Sequence, residues 1–162
     1  MPFPYFGGKS KIAETVWTFL GDAPNYIEPF CGSAAVLLGR PTKPRTETIN
    51  DIDGLLVNAL RALQYNPDET AYWADYPVTE IDYNARHAWL RDQRLMVTES
   101  LKNDPMYHDT KMAGWWIWGA NLKIGGPWCH DTNKEIPHLG DPGTGVNRMT
   151  LPHLGDPGRG VN

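Results

Sequence analysis

"NYIEPFCGSAAVLL", residues 25–38, reads as a short apolar strand running into Glu28-Pro29-Phe30 and then breaking at Gly32. A helix resumes in small and aliphatic residues, with Ser33 placed to cap it and Gly39 and Pro41 placed to end it. An acid at a strand tip, then glycine and a helix start, exposes a carboxylate and backbone amides at one edge of a sheet, where open α/β sheets bind their ligands. The fold class therefore turns on whether the flanking sequence keeps the strand–helix rhythm.

It does on both sides. Upstream, Gly7-Gly8-Lys9-Ser10 leads into Ile12, Val16, Phe19 and Leu20, spaced at i, i+4, i+7 and i+8, which predicts an amphipathic helix capped by Ser10 and closed by Gly21. Downstream, residues 46–50 predict a second strand ending in Asn50-Asp51. Residues 54–64 predict a helix through Leu55, Leu56, Ala59, Leu60 and Leu63, stopped at Asn66-Pro67. Strand, helix, strand, helix is the rhythm of a parallel α/β sheet.

The second half has another texture. Residues 83–99 show helical spacing through Ala85, Ala88, Trp89 and Met96, with Asp82 as the candidate cap and a break at Asp104-Pro105. Residues 112–122 form an apolar segment carrying Trp115, Trp116 and Trp118. Past Gly125-Gly126 the chain turns rich in Gly, Pro, Asp and Asn, a composition of turns. There "PHLGDPGTGVN" from Pro137 returns as "PHLGDPGRGVN" from Pro152. Two copies are too few for a solenoid, so the repeat reads as a duplicated surface loop, with a binding motif as the alternative. The expected organisation is a first part over residues 1–66, a helical part over 67–135, and a Gly/Pro-rich loop over 136–162.

Composition bounds the function. The 162 residues are 41% hydrophobic and 21% charged, those of one globular domain, and no run approaches the ~18 apolar residues of a membrane span. The start lacks a secretory signal pattern, so a cytoplasmic setting is expected. Two cysteines, Cys31 and Cys129, are too few for a disulfide framework, and the five histidines form no ligand-spaced pair, so no metal site is expected. The formal charge of −4 argues against wholesale polyanion binding. Lys9, Lys11, Arg40, Lys43 and Arg45 could still make a local basic groove if the fold gathers them.

Three elements carry chemistry. In Tyr5-Phe6-Gly7-Gly8-Lys9 the paired glycines allow close backbone approach to a ligand, the aromatics can cover a flat ring or a sulfonium, and Lys9 can meet an anion. The Walker spacing is absent. At Glu28-Pro29-Phe30-Cys31-Gly32, Glu28 would face a cationic group and the amides after Gly32 an anionic one, which suits an amino-acid zwitterion; the Gly-x-Gly-x-x-Gly of a dinucleotide site is missing. Asp51 and Asp53, at the end of the second strand, are placed to hold ribose hydroxyls or to cap the helix from Gly54.

Taken together, "PYFGGKSKI", "YIEPFCGSAAVLL" and "INDIDGLLVNALRAL" resemble the N-terminal part of the D12 class, or Dam-like, DNA adenine-N6 methyltransferases, over residues 3 to 64. "AGWWIWGANLKIGGPWC" looks like the recognition region of the phage-type members. The resemblance implies an α/β fold, a Rossmann-like S-adenosylmethionine-dependent methyltransferase sheet, incomplete here, with a helical and loop target-recognition region. It implies that Tyr5, Phe6, Gly7, Gly8, Lys9, Glu28, Pro29, Phe30, Gly32 and Asp51 line an S-adenosyl-L-methionine pocket, with Asp51 on the ribose. It implies double-stranded DNA as partner. Core packing is the favoured reading for Trp115, Trp116 and Trp118, since aromatics bury the most area per residue; the functional alternative is an aromatic wall near DNA that includes Trp116, with Lys111 and Lys123 on phosphates.

One departure is an absence. The family's Asp-Pro-Pro-Tyr does not occur; the Asp-Pro steps at Asp104, Asp141 and Asp156 continue with Met or Gly. That motif positions the flipped adenine, so no catalytic residue is assigned, and activity from this chain alone is expected to be negligible. The expectation is a fragment ending before the motif, with a non-catalytic remnant or one half of a split enzyme, completed by a second polypeptide, as alternatives.

Overall fold

The computed structural model describes residues 3–43, 45–123 and 128–129. Among them are two strands, β1 (Asn25–Glu28) and β2 (Thr46–Ile49), and six helices. The helices are α1 (Ala13–Leu20), α2 (Ala35–Leu38), α3 (Gly54–Tyr65), α4 (Pro67–Ala74), α5 (Glu80–Asn103) and α6 (Thr110–Leu122). They belong to a compact unit spanning Met1–Cys129. The 137 and 152 repeat lies outside the described residues.

β1 and β2 pair in parallel, in register from Asn25 opposite Thr46 to Glu28 opposite Ile49. Alternation along β1 buries Tyr26 and Glu28 on one face and leaves Asn25 and Ile27 on the other. The ladder continues past the strands, where the Asn50 amide donates to the Glu28 carbonyl and the Cys31 amide to the Asn50 carbonyl, both at 2.9 Å. Both strand tips are thus held side by side.

Several helix starts differ from expectation. α1 begins after Ile12 rather than after Ser10, and it buries Ala13 and Trp17 while Phe19 and Leu20 stay exposed. The Trp17 indole, which donates to the Val36 carbonyl at 2.6 Å, rolls the helix that way. Ala34, in the left-handed region at φ 52°, stands at the N-cap of α2 in place of Ser33. Pro67 opens α4 as well as ending α3, since a proline at the first helical position gives up no hydrogen bond. α5 starts earlier than residue 83, with Thr79 rather than Asp82 at the cap: the Thr79 hydroxyl accepts the Asp82 amide and donates to its carboxylate.

The main core lies where α3, α5 and α6 meet, through Leu55, Leu56, Ala59, Leu90, Val97, Met112 and Trp116. A smaller cluster of Ala13, Trp17, Tyr26 and Val36 packs α1 and α2 with β1. Asn58, fully buried, donates to the Asp109 carbonyl at 2.9 Å and accepts the Asp109 amide at 2.8 Å, locking α3 to the start of α6. α4 and α6 approach so closely that a Cβ on Gly114 would sit 2.7 Å from the Thr70 carbonyl oxygen and 2.4 Å from the Trp73 Cβ.

Candidate cofactor site

The site is assembled from three chain segments. In the turn before α1 the Gly8 amide donates to the Tyr5 carbonyl at 2.9 Å, with Gly7 at φ 74°. The Lys9 ammonium reaches the Phe30 carbonyl and lies 2.6 Å from Glu28 Oε1. That clamp fixes the turn on the tip of β1. The third segment follows β2: Asp51 Oδ2 accepts the Gly32 amide at 2.9 Å, and Oδ1 accepts the Asp53 amide at 3.1 Å.

Gly32 is where the fit is tightest. Its φ of 52° lies in the left-handed region, and a Cβ there would stand 2.8 Å from Tyr5 Cδ1. The Tyr5 ring therefore lies directly over the glycine. Tyr5, Gly7, Gly8, Lys9, Phe30, Cys31, Gly32 and Asp51 line an open cavity of about 340 Å³. That volume falls at the lower end of the range for small-molecule and cofactor sites.

The walls are mostly neutral. Burial first, then the charges of Asp51 and Asp53, push the Tyr5 phenol up to about 12. Burial, followed by Asp51 and Glu28, pushes the Cys31 thiol up to about 11. Asp51 is the carboxylate that lines the cavity. Each of its oxygens accepts one backbone amide and keeps a second lone pair, so it can still receive a pair of hydroxyls.

Behind it, Asp53 caps α3 by accepting the Leu55 amide at 3.1 Å, and lies 3.6 Å from the Arg94 guanidinium. Arg94 also donates to the Cys129 carbonyl at 3.2 Å. Neither Arg94 nor Cys31 is among the site residues that the sequence patterns single out. Cys31 sat inside a recognised motif; Arg94 carries no local signal, because its partners are 41 and 35 positions away in the chain.

Tyr5, Gly7, Gly8, Lys9, Phe30, Gly32 and Asp51 thus share one cavity. Three expectations are corrected. Glu28 is buried under Lys9 rather than facing the cavity, because it shares the inward face of β1 with Tyr26. Of the amides after Gly32, that of Ala34 already donates to the Cys31 carbonyl at 2.9 Å and is not open to a ligand carboxylate. Phe6 and Pro29 are exposed and outside the lining; Phe6 is 64% exposed.

In the tryptophan-rich segment the core-packing reading describes Trp116, and the aromatic-wall alternative does not. Trp116 is 2% exposed and meets Phe3 edge-on at 5.1 Å, so its ring is core and offers no wall to DNA. Lys111 sits over the Trp115 ring at 4.5 Å, and Lys123 is exposed. Of the early cations, Arg40 pairs with Glu47 at 3.1 Å and with Asp22 at 3.4 Å, and Arg45 with Asp22, so these two are spent on acids. Among the described residues there is no cluster of His, Cys, Asp and Glu able to hold a metal, and no helix long and apolar enough to cross a membrane.

A model of the family described as D12 class N6 adenine-specific DNA methyltransferase matches residues 5–100, which include all three cavity-forming segments. The chain belongs to that family. The D12 match runs from Tyr5 through most of α5, so the Asp53–Arg94 pair lies inside it as well. Neither a curated protein nor a solved structure matches this D12 chain.

Proposed function

We propose that this chain is the cofactor-binding part of a DNA adenine-N6 methyltransferase, with S-adenosyl-L-methionine as donor and adenine in double-stranded DNA as acceptor. The observation that carries the reading is the convergence of Tyr5, Lys9, Gly32 and Asp51 on one cavity of about 340 Å³. The residues fit the cofactor: the bare Gly32 lets the Tyr5 ring seat against the backbone as a cavity wall, and Asp51 keeps acceptor capacity for ribose hydroxyls. Tyr5 and Phe30 would cover the flat and sulfonium parts, while Lys9 holds the turn on β1. When bound, the cofactor supplies an electrophilic methyl group on sulfur.

On this reading β1 and β2 are the opening strands of a Rossmann-like sheet, residues 1–66 serve the cofactor and the helical region after residue 67 serves the DNA, with Lys111 and Lys123 near phosphates. The protein would work in the cytoplasm of a bacterium or of a phage-infected host. Calorimetry with S-adenosylhomocysteine tests the first half. Heat is expected from the parent chain and is expected to vanish in Asp51→Ala and Tyr5→Ala; a silent parent chain sinks the proposal.

A second reading is favoured by one sequence fact: no Asp-Pro-Pro-Tyr occurs in the 162 residues. Without it nothing here orients the exocyclic amine, and positioning supplies up to about 7 to 11 kcal/mol of rate. The chain would then bind cofactor or DNA without turning over, or act with a second polypeptide that carries the motif. Methylation of duplex DNA by the isolated chain would exclude this; activity appearing only when such a polypeptide is added would establish it.

A further inference from the structure

α5 carries His87, Arg91 and Arg94 at i, i+4 and i+7, which is one face of a helix. At 1.5 Å rise per residue they span about 10 Å, close to three nucleotide steps along one DNA strand. One end of that row adjoins the cofactor cavity. Arg94 pairs with Asp53, two residues from Asp51, and its charge is felt at the Tyr5 phenol. At the other end the His87 ring packs on Trp128 with centroids 4.8 Å apart, and the charges of Arg91 and Lys123 both act on it.

Within the row Arg94 is matched by Asp53 and by the Cys129 carbonyl, whereas Arg91 has no acid partner among the described residues. Asp53 is engaged by Arg94 and by its helix cap. Asp92, adjacent to Arg91, is turned about 100° around the helix. Arg91 keeps a buried Nε without a hydrogen-bond partner among the described residues. A buried guanidinium nitrogen left so is costly unless an anion reaches it. Among the other described cations Arg40 and Arg45 are matched by acids, Lys102 by Glu99, Lys9 by Glu28, Arg61 by backbone carbonyls and Lys111 by an aromatic ring. Arg86 lies over the Trp118 ring with its Nη1 likewise lacking a hydrogen-bond partner among the described residues, and Lys11 and Lys43 are exposed in the N-terminal part of the chain.

We propose that His87, Arg91 and Arg94 on α5, with Lys123 after α6, form a track for the phosphate backbone of the DNA substrate, beginning at the cofactor cavity. This deepens the methyltransferase reading and rests on it. Phosphates along the row would satisfy Arg91, offset the mutual repulsion of Arg91, Lys123 and protonated His87, and bring a strand past Tyr5. It also places the contact on charged groups instead of the buried tryptophans.

The test is fluorescence anisotropy of the full chain with a mixed-sequence, adenine-containing duplex over a salt series. Arg91→Gln and Lys123→Gln are each expected to weaken binding about 10-fold and to lower the salt slope by about 1. Lys102→Gln, a paired cation elsewhere on the surface, is expected to match the parent. Duplex binding is also expected to raise the His87 pKa, followed by NMR, which a purely structural role would not produce. Because Lys123 is exposed, Lys123→Glu keeps the test decisive if Arg91→Gln does not fold.

Parent-like affinity and slope in the Arg91→Gln/Lys123→Gln double variant would overturn the track. So would S-adenosylhomocysteine binding by a parent chain with no affinity for duplex. A parent chain that gives no heat with S-adenosylhomocysteine, yet loses duplex binding in these variants, would sink the methyltransferase reading and leave the track standing.

Discussion

The Gly32 amide donates to the Asp51 carboxylate at 2.9 Å, so the residue after β1 and the residue after β2 are held together by a side chain as well as by the ladder. Two substitutions probe this tie. Asp51→Ala leaves the buried Gly32 amide unsatisfied and is expected to cost about 1–3 kcal/mol in urea denaturation. Gly32→Ala is expected to cost about 1–2 kcal/mol for its left-handed φ alone. It must also displace the Tyr5 ring, so S-adenosylhomocysteine affinity is expected to fall at least 10-fold by calorimetry.

The Lys9–Glu28 pair is asymmetric, with the lysine side chain 32% exposed and the glutamate 5%. Lys9→Met strands a buried carboxylate and is expected to destabilise by about 3 kcal/mol, the lower end for breaking a buried pair. Lys9→Met/Glu28→Gln is expected to recover a good part of that. Equal midpoints for the single and double variants would refute the pairing.

Cys31 lines the cavity shared by Tyr5 and Asp51 yet is held as a thiol by burial and by the charges of Asp51 and Glu28, its pKa raised to about 11. The thiolate is the reactive form, so Cys31 is expected to resist alkylation near neutral pH in the folded chain and to react on addition of urea. Cys129, raised further by deeper burial, is expected to behave likewise. Mass spectrometry after a timed iodoacetamide pulse distinguishes the two sites.

His87 gives a pH signature. Burial first, then Arg91 and Lys123, hold its pKa below 6.5. The native state then binds fewer protons than the unfolded state, so this site costs nothing well above pH 6.5 and destabilises as pH falls through 6.5 toward the folded value. Urea midpoints of the parent are expected to drop on the acid side more steeply than those of His87→Gln.

Phe30, Leu38 and Ile52, 79%, 60% and 92% exposed, border an apolar groove of about 1200 Å³ beside α2 and α3. Exposed apolar surface of that extent drives association. Sedimentation equilibrium is expected to show concentration-dependent dimers of the parent chain and a shift toward monomer in Ile52→Asp. An Ile52→Asp profile identical to the parent's would remove the groove as the cause.

Much of the site was legible because its segments are short and local. Period-two burial in β1 and the helical stripe of α3 follow from spacing, and the three tips meet because a parallel strand–helix–strand unit brings them to one edge. The inward turn of Glu28 was legible in principle: it lies two residues from Tyr26, so whatever buries one side chain buries the other. The roll of α1 was not, because it is decided by a hydrogen bond between Trp17 and Val36, 19 positions apart. Trp115 and Trp116 are one helical step apart, yet Trp116 lies inside the core beside Phe3 while Trp115 only packs against it, a difference that distant contacts decide. Arg94 reaches across three chain segments and leaves no trace in local pattern.

The contact at Gly114 has a consequence for how this protein can diversify. With Thr70 and Trp73 pressed against a residue that has no side chain, α4 and α6 behave as a welded pair whose seam admits no new atoms. Any side chain added at Gly114 must therefore force the two helices apart, whereas the exposed Tyr72 on α4 can change without entering the seam.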